Sequence, residues 1–137
     1  MGLYLMVLDG DEELDGVEVG GYDDFGAFRD AVTAEVEGGE PGSVCPVLII
    51  HSDCDGWWSP TDSAKLLIEL QTIEKRFRKA PPIAFNSDWK RDVARTHGMS
   101  QKTLADCFFD VNGEPLIARL RSLAQLSVVR NLPILFQ

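Results

Sequence analysis

The segment from Val44 to Trp58 constrains the fold more than any other part of the chain. It joins an unbroken apolar run, residues 47–50, to a polar turn, residues 51–56. A short aliphatic run between turn-forming residues is typical of a strand that is buried on both faces. Such a strand needs helices above and below its sheet. The sequence therefore predicts an α/β or α+β fold with a central strand near residues 44–51.

Two further strands are predicted at the ends of the chain, near residues 2–8 and 132–136. The first apolar run has no basic residues before it, so we interpret it as a strand rather than a signal peptide. The last run is apolar up to the penultimate residue, which favours its inclusion in a sheet. We expect these two strands and residues 44–51 to share a small mixed sheet, with a weaker strand near residues 14–19.

Apolar spacing and capping residues predict helices between these strands. Asp23 or Asp24 is expected to cap the first helix, which Gly38 ends. Ser59 and Pro60 form a strong helix start. The other helices are expected as two short ones within residues 87–109 and a long one that opens at residues 112–115.

Length and composition indicate a single globular domain, residues 1–137. The chain is 45% hydrophobic and 26% charged, as expected of a globular protein that builds one core. No apolar run approaches the roughly 20 residues that cross a bilayer, so we expect no membrane partner. Its three cysteines include no Cys-x-x-Cys pair, which favours a reducing cytoplasm.

Charge is distributed unevenly along the chain. The formal net charge is −9, and residues 9–40 carry a net −11 while residues 41–137 carry a net +2. Direct binding to nucleic acid is disfavoured, because phosphate contacts use clustered lysine and arginine. The acidic third favours a basic protein partner, although acidic residues that only keep the protein soluble would give the same pattern.

The polar turn after residue 50 resembles two kinds of catalytic site. Asp53-x-Asp55-Gly56 is similar to the first motif of haloacid-dehalogenase-type phosphatases, in which the first aspartate is a nucleophile. That family usually has Thr or Val where this chain has Trp57, and no later acidic pair with a lysine follows in the expected order.

A metal site is the second possibility at this turn. His51, Asp53 and Asp55 alternate along an extended segment and would project to one side, as ligands of a divalent ion in a small hydrolase. The simpler interpretation is that these side chains hydrogen-bond the backbone of a tight turn. No Gly-x-Ser-x-Gly, His-Glu-x-x-His or phosphate-binding glycine loop occurs, so no other cofactor is expected.

Trp57 and Trp58 are adjacent, so both cannot easily face the core. An exposed tryptophan is a common interface contact. A sizeable apolar pocket beside the pair would instead indicate a ligand-binding domain.

Three segments together resemble immunity protein 70, a family of small antidotes from bacterial polymorphic toxin systems. They are residues 1–5, the turn 51–56 with 58–60, and the C-terminal 132–137. The resemblance spans essentially the whole chain. It implies a non-catalytic cytoplasmic protein that binds and blocks a cognate toxin.

The resemblance supplies no contact residues, so charge and expected exposure provide the candidates. A toxin that acts on nucleic acid needs a basic surface, and a carboxylate patch would attract it. The predicted toxin contacts are Asp11, Glu12, Glu13, Asp15, Asp55, Trp57 and Trp58.

Overall fold

A computed structural model describes residues 2–52, 54–85 and 87–137. Its strands form a four-stranded sheet in the order β2-β1-β4-β3. The strands are β1 (Gly2–Asp9), β2 (Glu12–Gly21), β3 (Trp57–Trp58) and β4 (Ile134–Phe136). Helices cover this sheet, which confirms the predicted α+β class. All of the pairings between these strands are antiparallel, so the expectation of a mixed sheet was wrong.

The two terminal strands pair with each other, as predicted. Leu5, Met6 and Val7 of β1 pair with residues 134–136 of β4. Alternate residues of β1 are buried, including Leu3, Leu5 and Val7, so one face of the sheet packs on the core. The predicted weak strand near residues 14–19 is longer than expected and forms the second arm of the β1–β2 hairpin.

The predicted strand at residues 44–51 is wrong. Residues Pro46–Ile50 form a short helix, α2, and the edge of the sheet is supplied instead by β3. Pro46 occupies the first helical position, where its fixed φ angle suits a helix. The burial pattern is also helical, because Leu48 and Ile49 are buried while Ile50 is exposed. Tertiary hydrogen bonds described below stabilise this helix against the local preference for a strand.

Three long helices pack on the sheet and meet in a shared core. They are α1 (Tyr22–Glu35), α3 (Pro60–Phe77) and α5 (Leu116–Arg130). Gly21, rather than Asp23 or Asp24, is the N-cap of α1, and Asp24 accepts its backbone N–H from inside the first turn. Ser59 and Asp62 form the predicted cap of α3. None of the helices among the described residues is long and apolar enough to cross a membrane.

Of the two short helices predicted within residues 87–109, only the first is confirmed, as α4 (Asp88–Thr96). Where the second was expected, a 3₁₀ turn spans Leu104–Cys107. The Asp106 carboxylate accepts the backbone N–H groups of Lys102 and Thr103 there. These side-chain hydrogen bonds satisfy the backbone N–H groups in a turn, and so compete with the formation of a regular helix.

A buried polar cluster attaches α4 to α1. Lys90 and Asp24 are both buried, with the Lys90 Nζ atom 3.8 Å from an Asp24 oxygen. The other Asp24 oxygen accepts the Trp89 indole N–H at 3.0 Å. Burial lowers the pKa of Lys90, and the negative charge of Asp24 opposes that effect.

A chain of two hydroxyl groups fixes the segment that leads into β4. The buried Ser63 hydroxyl of α3 donates to the Ser127 hydroxyl of α5 at 2.8 Å. Ser127 in turn donates to the carbonyl oxygen of Leu132 at 2.5 Å. Asn131 ends α5 in the left-handed conformation, with φ of 55°. The turn into β4 is therefore linked by hydrogen bonds to both α3 and α5.

Ser127→Ala is expected to lower the free energy of unfolding by about 1–3 kcal/mol, because it leaves the half-buried Leu132 carbonyl without its donor and the buried Ser63 hydroxyl without its acceptor. Ser63→Ala is the matched control and should cost less, since Ser127 still donates to Leu132. Urea unfolding of the three proteins measures both effects. An equal cost for the two substitutions would contradict this account of the turn.

Candidate functional site

Two carboxylates hold the N-terminal end of α2. Glu37, which follows α1, accepts the backbone N–H groups of Val44 and Cys45 at 3.0 and 2.9 Å. Glu69 on α3 accepts those of Val47 and Leu48 at 3.1 and 3.0 Å. These N–H groups have no partner within the helix itself. Negative charge at a helix N-terminus is also favourable for the helix dipole.

A guanidinium group holds the other end of α2. Arg29 on α1 donates to the carbonyl oxygens of Ile49 and, at 2.8 Å, His51. A helix of five residues is not stable by itself in water. Arg29 of α1, Glu69 of α3 and Glu37, just after α1, therefore fix both its position and its orientation.

The electrostatic states of these groups differ because their surroundings differ. Burial acts to raise the pKa of Glu37, but hydrogen bonds from the backbone at Cys45, Val44 and Gly42 outweigh it and leave the pKa below its ordinary value. For Glu69, burial outweighs the hydrogen bonds and the pKa is raised. Burial, with the negative charges of Glu69 and Glu37, raises the pKa of the Cys45 thiol to about 12. Cys45 therefore stays protonated and is a poor nucleophile.

An open apolar groove of about 660 Å³ lies between α2 and α3. Ile50 and Ile68 line it with 67% of each residue exposed, and Val44 lines it with 46% exposed. Trp58 also lines it, beside the charged residues Asp62, Lys65 and Glu69. Seven large apolar side chains are exposed in the described part of the chain, and three of them line this one groove. Clustering of this kind marks an interaction surface.

The groove is bounded at one end by the polar turn. His51 stacks on Phe136, with ring centroids 4.3 Å apart. Its Nδ1 and Nε2 atoms lie 2.7 and 2.9 Å from the carbonyl oxygens of Ser52 and Trp57. Both ring nitrogens are thus occupied by the backbone, as the simpler interpretation of the turn expects.

The two tryptophans have different surroundings. Trp57 is 61% exposed on the edge strand β3. Trp58 is 1% exposed and donates its indole N–H to the Val47 carbonyl at 3.0 Å. Trp58 therefore belongs to the core and supports α2, while Trp57 keeps the exposure that a contact residue needs.

The four acidic candidates lie in the β1–β2 hairpin, but they are not equivalent. Asp11 and Glu12 are exposed at its tip. Glu13 is also exposed and accepts the Tyr4 hydroxyl at 2.9 Å. Asp15 is half-buried and pairs with Arg119 of α5 at 3.1 Å. Asp15 is therefore largely neutralised, and the carboxylates accessible to a partner are the first three.

A family profile described as immunity protein 70 matches residues 5–136 of the 137-residue chain. The chain belongs to the immunity protein 70 family. The comparison with curated proteins gives no match, and neither does the comparison with solved structures.

The structure gives no support to a metal site at His51, Asp53 and Asp55. Among residues 2–52, 54–85 and 87–137, no group of three or more His, Cys, Asp and Glu side chains could hold a metal ion. Asp53 lies outside the described residues. Asp55 is exposed in the turn, and the ring nitrogens of His51 are occupied as described above.

An apolar pocket beside Trp57 and Trp58 was raised only as an alternative, and the exposed residues that line the groove next to Trp58 were missed from the sequence. Val44 and Ile50 were assigned to a buried strand, so their exposure was not expected. Ile68 did carry a signal, because it lies off the stripe formed by Leu66, Leu70 and Ile73 in α3. An apolar residue on the polar face of an amphipathic helix is an exposed one.

Glu37→Gln and Glu69→Gln are expected to change stability with opposite dependence on pH. Each replaces a charged carboxylate oxygen by an NH2 group that cannot accept from the backbone N–H groups, at a cost of about 1–3 kcal/mol near pH 7. Because the pKa of Glu37 is lowered, its advantage over glutamine is present above about pH 5 and declines as pH falls below about 4. Because the pKa of Glu69 is raised, its advantage grows as pH falls from neutral toward about 4.

Urea unfolding of the wild type and both variants between pH 3 and 8 measures these differences. Asp30→Asn, which neutralises an exposed carboxylate on α1, is the control for a general charge effect. Parallel pH profiles for Glu37→Gln and Glu69→Gln would contradict the assignment of the two pKa shifts.

Proposed function

We propose that this protein is the antidote of a bacterial polymorphic toxin and neutralises it by direct, non-catalytic binding in the cytoplasm. Membership of the immunity protein 70 family is the observation that carries this proposal. An antidote needs an accessible surface that fits its toxin, rather than a reactive group.

The chemistry of the polar and nucleophilic side chains supports a non-catalytic role. Cys45 is buried with a pKa of about 12. The nitrogens of His51 are occupied by backbone carbonyl groups, so its side chain is committed to holding the turn. Neither group has the activated environment of a catalytic nucleophile or base.

The cytoplasmic location is supported by cysteine chemistry. Cys45, Cys54 and Cys107 are all free thiols, and Cys54 is exposed. An exposed free thiol persists best in a reducing compartment.

The partner is proposed to be a basic toxin that approaches the tip of the β1–β2 hairpin. Asp11 in the turn and Glu12 and Glu13 at the start of β2 present three exposed carboxylates at this tip. A patch of this kind speeds encounter with a basic surface and competes with phosphate for it. Asp55 and Trp57, near the opposite edge of the sheet, are the other exposed residues among the toxin contacts predicted from the sequence.

Co-expression tests the function. We expect the gene directly upstream to encode the toxin domain. That domain should arrest growth when expressed alone, and co-expression of this protein should restore growth. The two purified chains should form a stable complex. A toxin domain that still arrests growth, with no complex formed, would overturn the proposal.

Neutralising the hairpin tip is expected to slow association with that toxin domain. The triple variant Asp11→Asn, Glu12→Gln, Glu13→Gln should lower the association rate about tenfold or more at low salt and flatten its salt dependence, because rim charges act mainly on encounter. Stopped-flow measurements across a salt series give both quantities.

The control triple variant is Asp30→Asn, Glu35→Gln, Glu40→Gln, which changes net charge equally at exposed positions on and after α1. Trp57→Ala should instead increase the dissociation rate, as expected of a contact residue. Equal association rates and salt slopes for the two triple variants would place the toxin contact away from the hairpin.

A further inference from the structure

A stripe of positive charge runs along the same helix face as the apolar groove. Lys65, Ile68, Thr72 and Lys75 follow one another at intervals of three and four residues on α3, and therefore share one face. A second groove, of about 370 Å³, continues past Thr72. It shares Val44 with the first groove and is also lined by Val36, Lys75, Arg76 and Lys79.

The two lysines of this stripe, and Lys79 just beyond the end of α3, are available to a partner. Lys65, Lys75 and Lys79 are exposed and form no ion pair with any residue that the structure describes. The carboxylates that line the two grooves are already engaged. Asp62 accepts the Ser59 N–H, and Glu69 accepts two N–H groups of α2. The two adjoining grooves form one cleft. Four cations line it, Lys65, Lys75, Arg76 and Lys79, against the two carboxylates, so its formal charge is positive although the chain as a whole is acidic.

The wall formed by α2 is organised before any partner binds. Glu37, Glu69 and Arg29 fix a helix that could not hold its shape alone, and that helix presents Ile50 to solvent. A surface that needs no ordering loses less entropy on binding. Exposed apolar residues on a rigid wall, next to unpaired cations, are suited to a partner with the complementary pattern.

We propose that this cleft, made of both grooves, docks an apolar segment of the toxin that carries carboxylates at one end. The apolar side chains of that segment contact Val44, Ile50 and Ile68, and its carboxylates pair with Lys75 and Lys79. This inference rests on the proposed function, and it assigns the main surface through which the protein contacts the toxin. The cleft lies beside β3, whereas the acidic hairpin belongs to β2 at the opposite edge of the sheet. The hairpin acts on encounter, and the cleft holds the bound toxin.

The experiment measures binding of the catalytically inactivated toxin domain from the upstream gene by biolayer interferometry. Ile68→Asp is expected to weaken binding at least about thirtyfold, mainly through faster dissociation, because it places an ion in the apolar centre of the contact. Val129→Asp is the matched control. It makes the same kind of change at an 80% exposed apolar residue on α5, and should leave binding unchanged.

Charge reversal tests the polarity of the partner segment. The double variant Lys75→Glu, Lys79→Glu should weaken binding about tenfold or more, whereas Lys102→Glu, at an exposed lysine outside the cleft, should have little effect. Tighter binding by the double variant would show that the segment is basic and would overturn the proposal. Circular dichroism confirms that each variant is folded.

Three further outcomes are decisive. Toxin binding by Ile68→Asp equal to wild type overturns the cleft and leaves the proposed function intact. Absence of toxin binding by the wild type overturns both. Wild-type protein that sediments as a dimer, which Ile68→Asp dissociates, would assign the cleft to a second copy of this chain and overturn its assignment to the toxin.

Discussion

The contacts between two buried carboxylates and the first turn of α2 are the constraint on which the exposed surface depends. Glu37 and Glu69 come from segments on either side of this helix in the sequence and converge on its backbone N–H groups. Because four donors are satisfied in this way, a run of five residues is helical where its composition favours a strand. The same contacts turn Ile50 outward and form one wall of the groove. Loss of either carboxylate would therefore change the shape of the groove as well as the stability of the chain.

Charge in this protein has two separate uses, and the formal net charge of −9 does not distinguish them. Several acidic side chains are internal to the fold. Asp24 holds α4, and Asp15 and Asp110 lie beside Arg119. The carboxylates at the hairpin tip remain exposed instead. Of the twelve carboxylates in residues 9–40, only Asp24 and Glu37 are buried and Asp15 is half-buried, so a partner encounters nine exposed ones. It also encounters a cationic stripe on α3 that the net charge conceals.

The arrangement of the sheet separates these surfaces. Strands β2 and β3 lie at opposite edges, so the acidic tip and the apolar cleft are not parts of one continuous patch. The long edge strand β2 is protected from pairing with another chain. Arg119 donates to the Gly16 carbonyl, and the Val111 N–H donates to that of Glu18. Association through exposed side chains is therefore favoured over addition of a strand at this edge.

The sequence by itself determined the terminal strands, the long helices α1, α3 and α5, and the family, because these depend on patterns that are local or that span the whole chain. Only the tertiary structure decided the state of residues 44–51 and the exposure of Ile50. Both depend on backbone N–H groups that donate to Glu37 and Glu69 and on backbone carbonyl oxygens that accept from Arg29. Glu69 and Arg29 are about 20 residues distant along the chain. The burial of Trp58 was also decided by the tertiary structure, because its indole N–H donates to the Val47 carbonyl of α2. Local pattern fixes an element when its own backbone satisfies its hydrogen bonds, whereas a five-residue helix leaves most of its donors and acceptors to distant side chains.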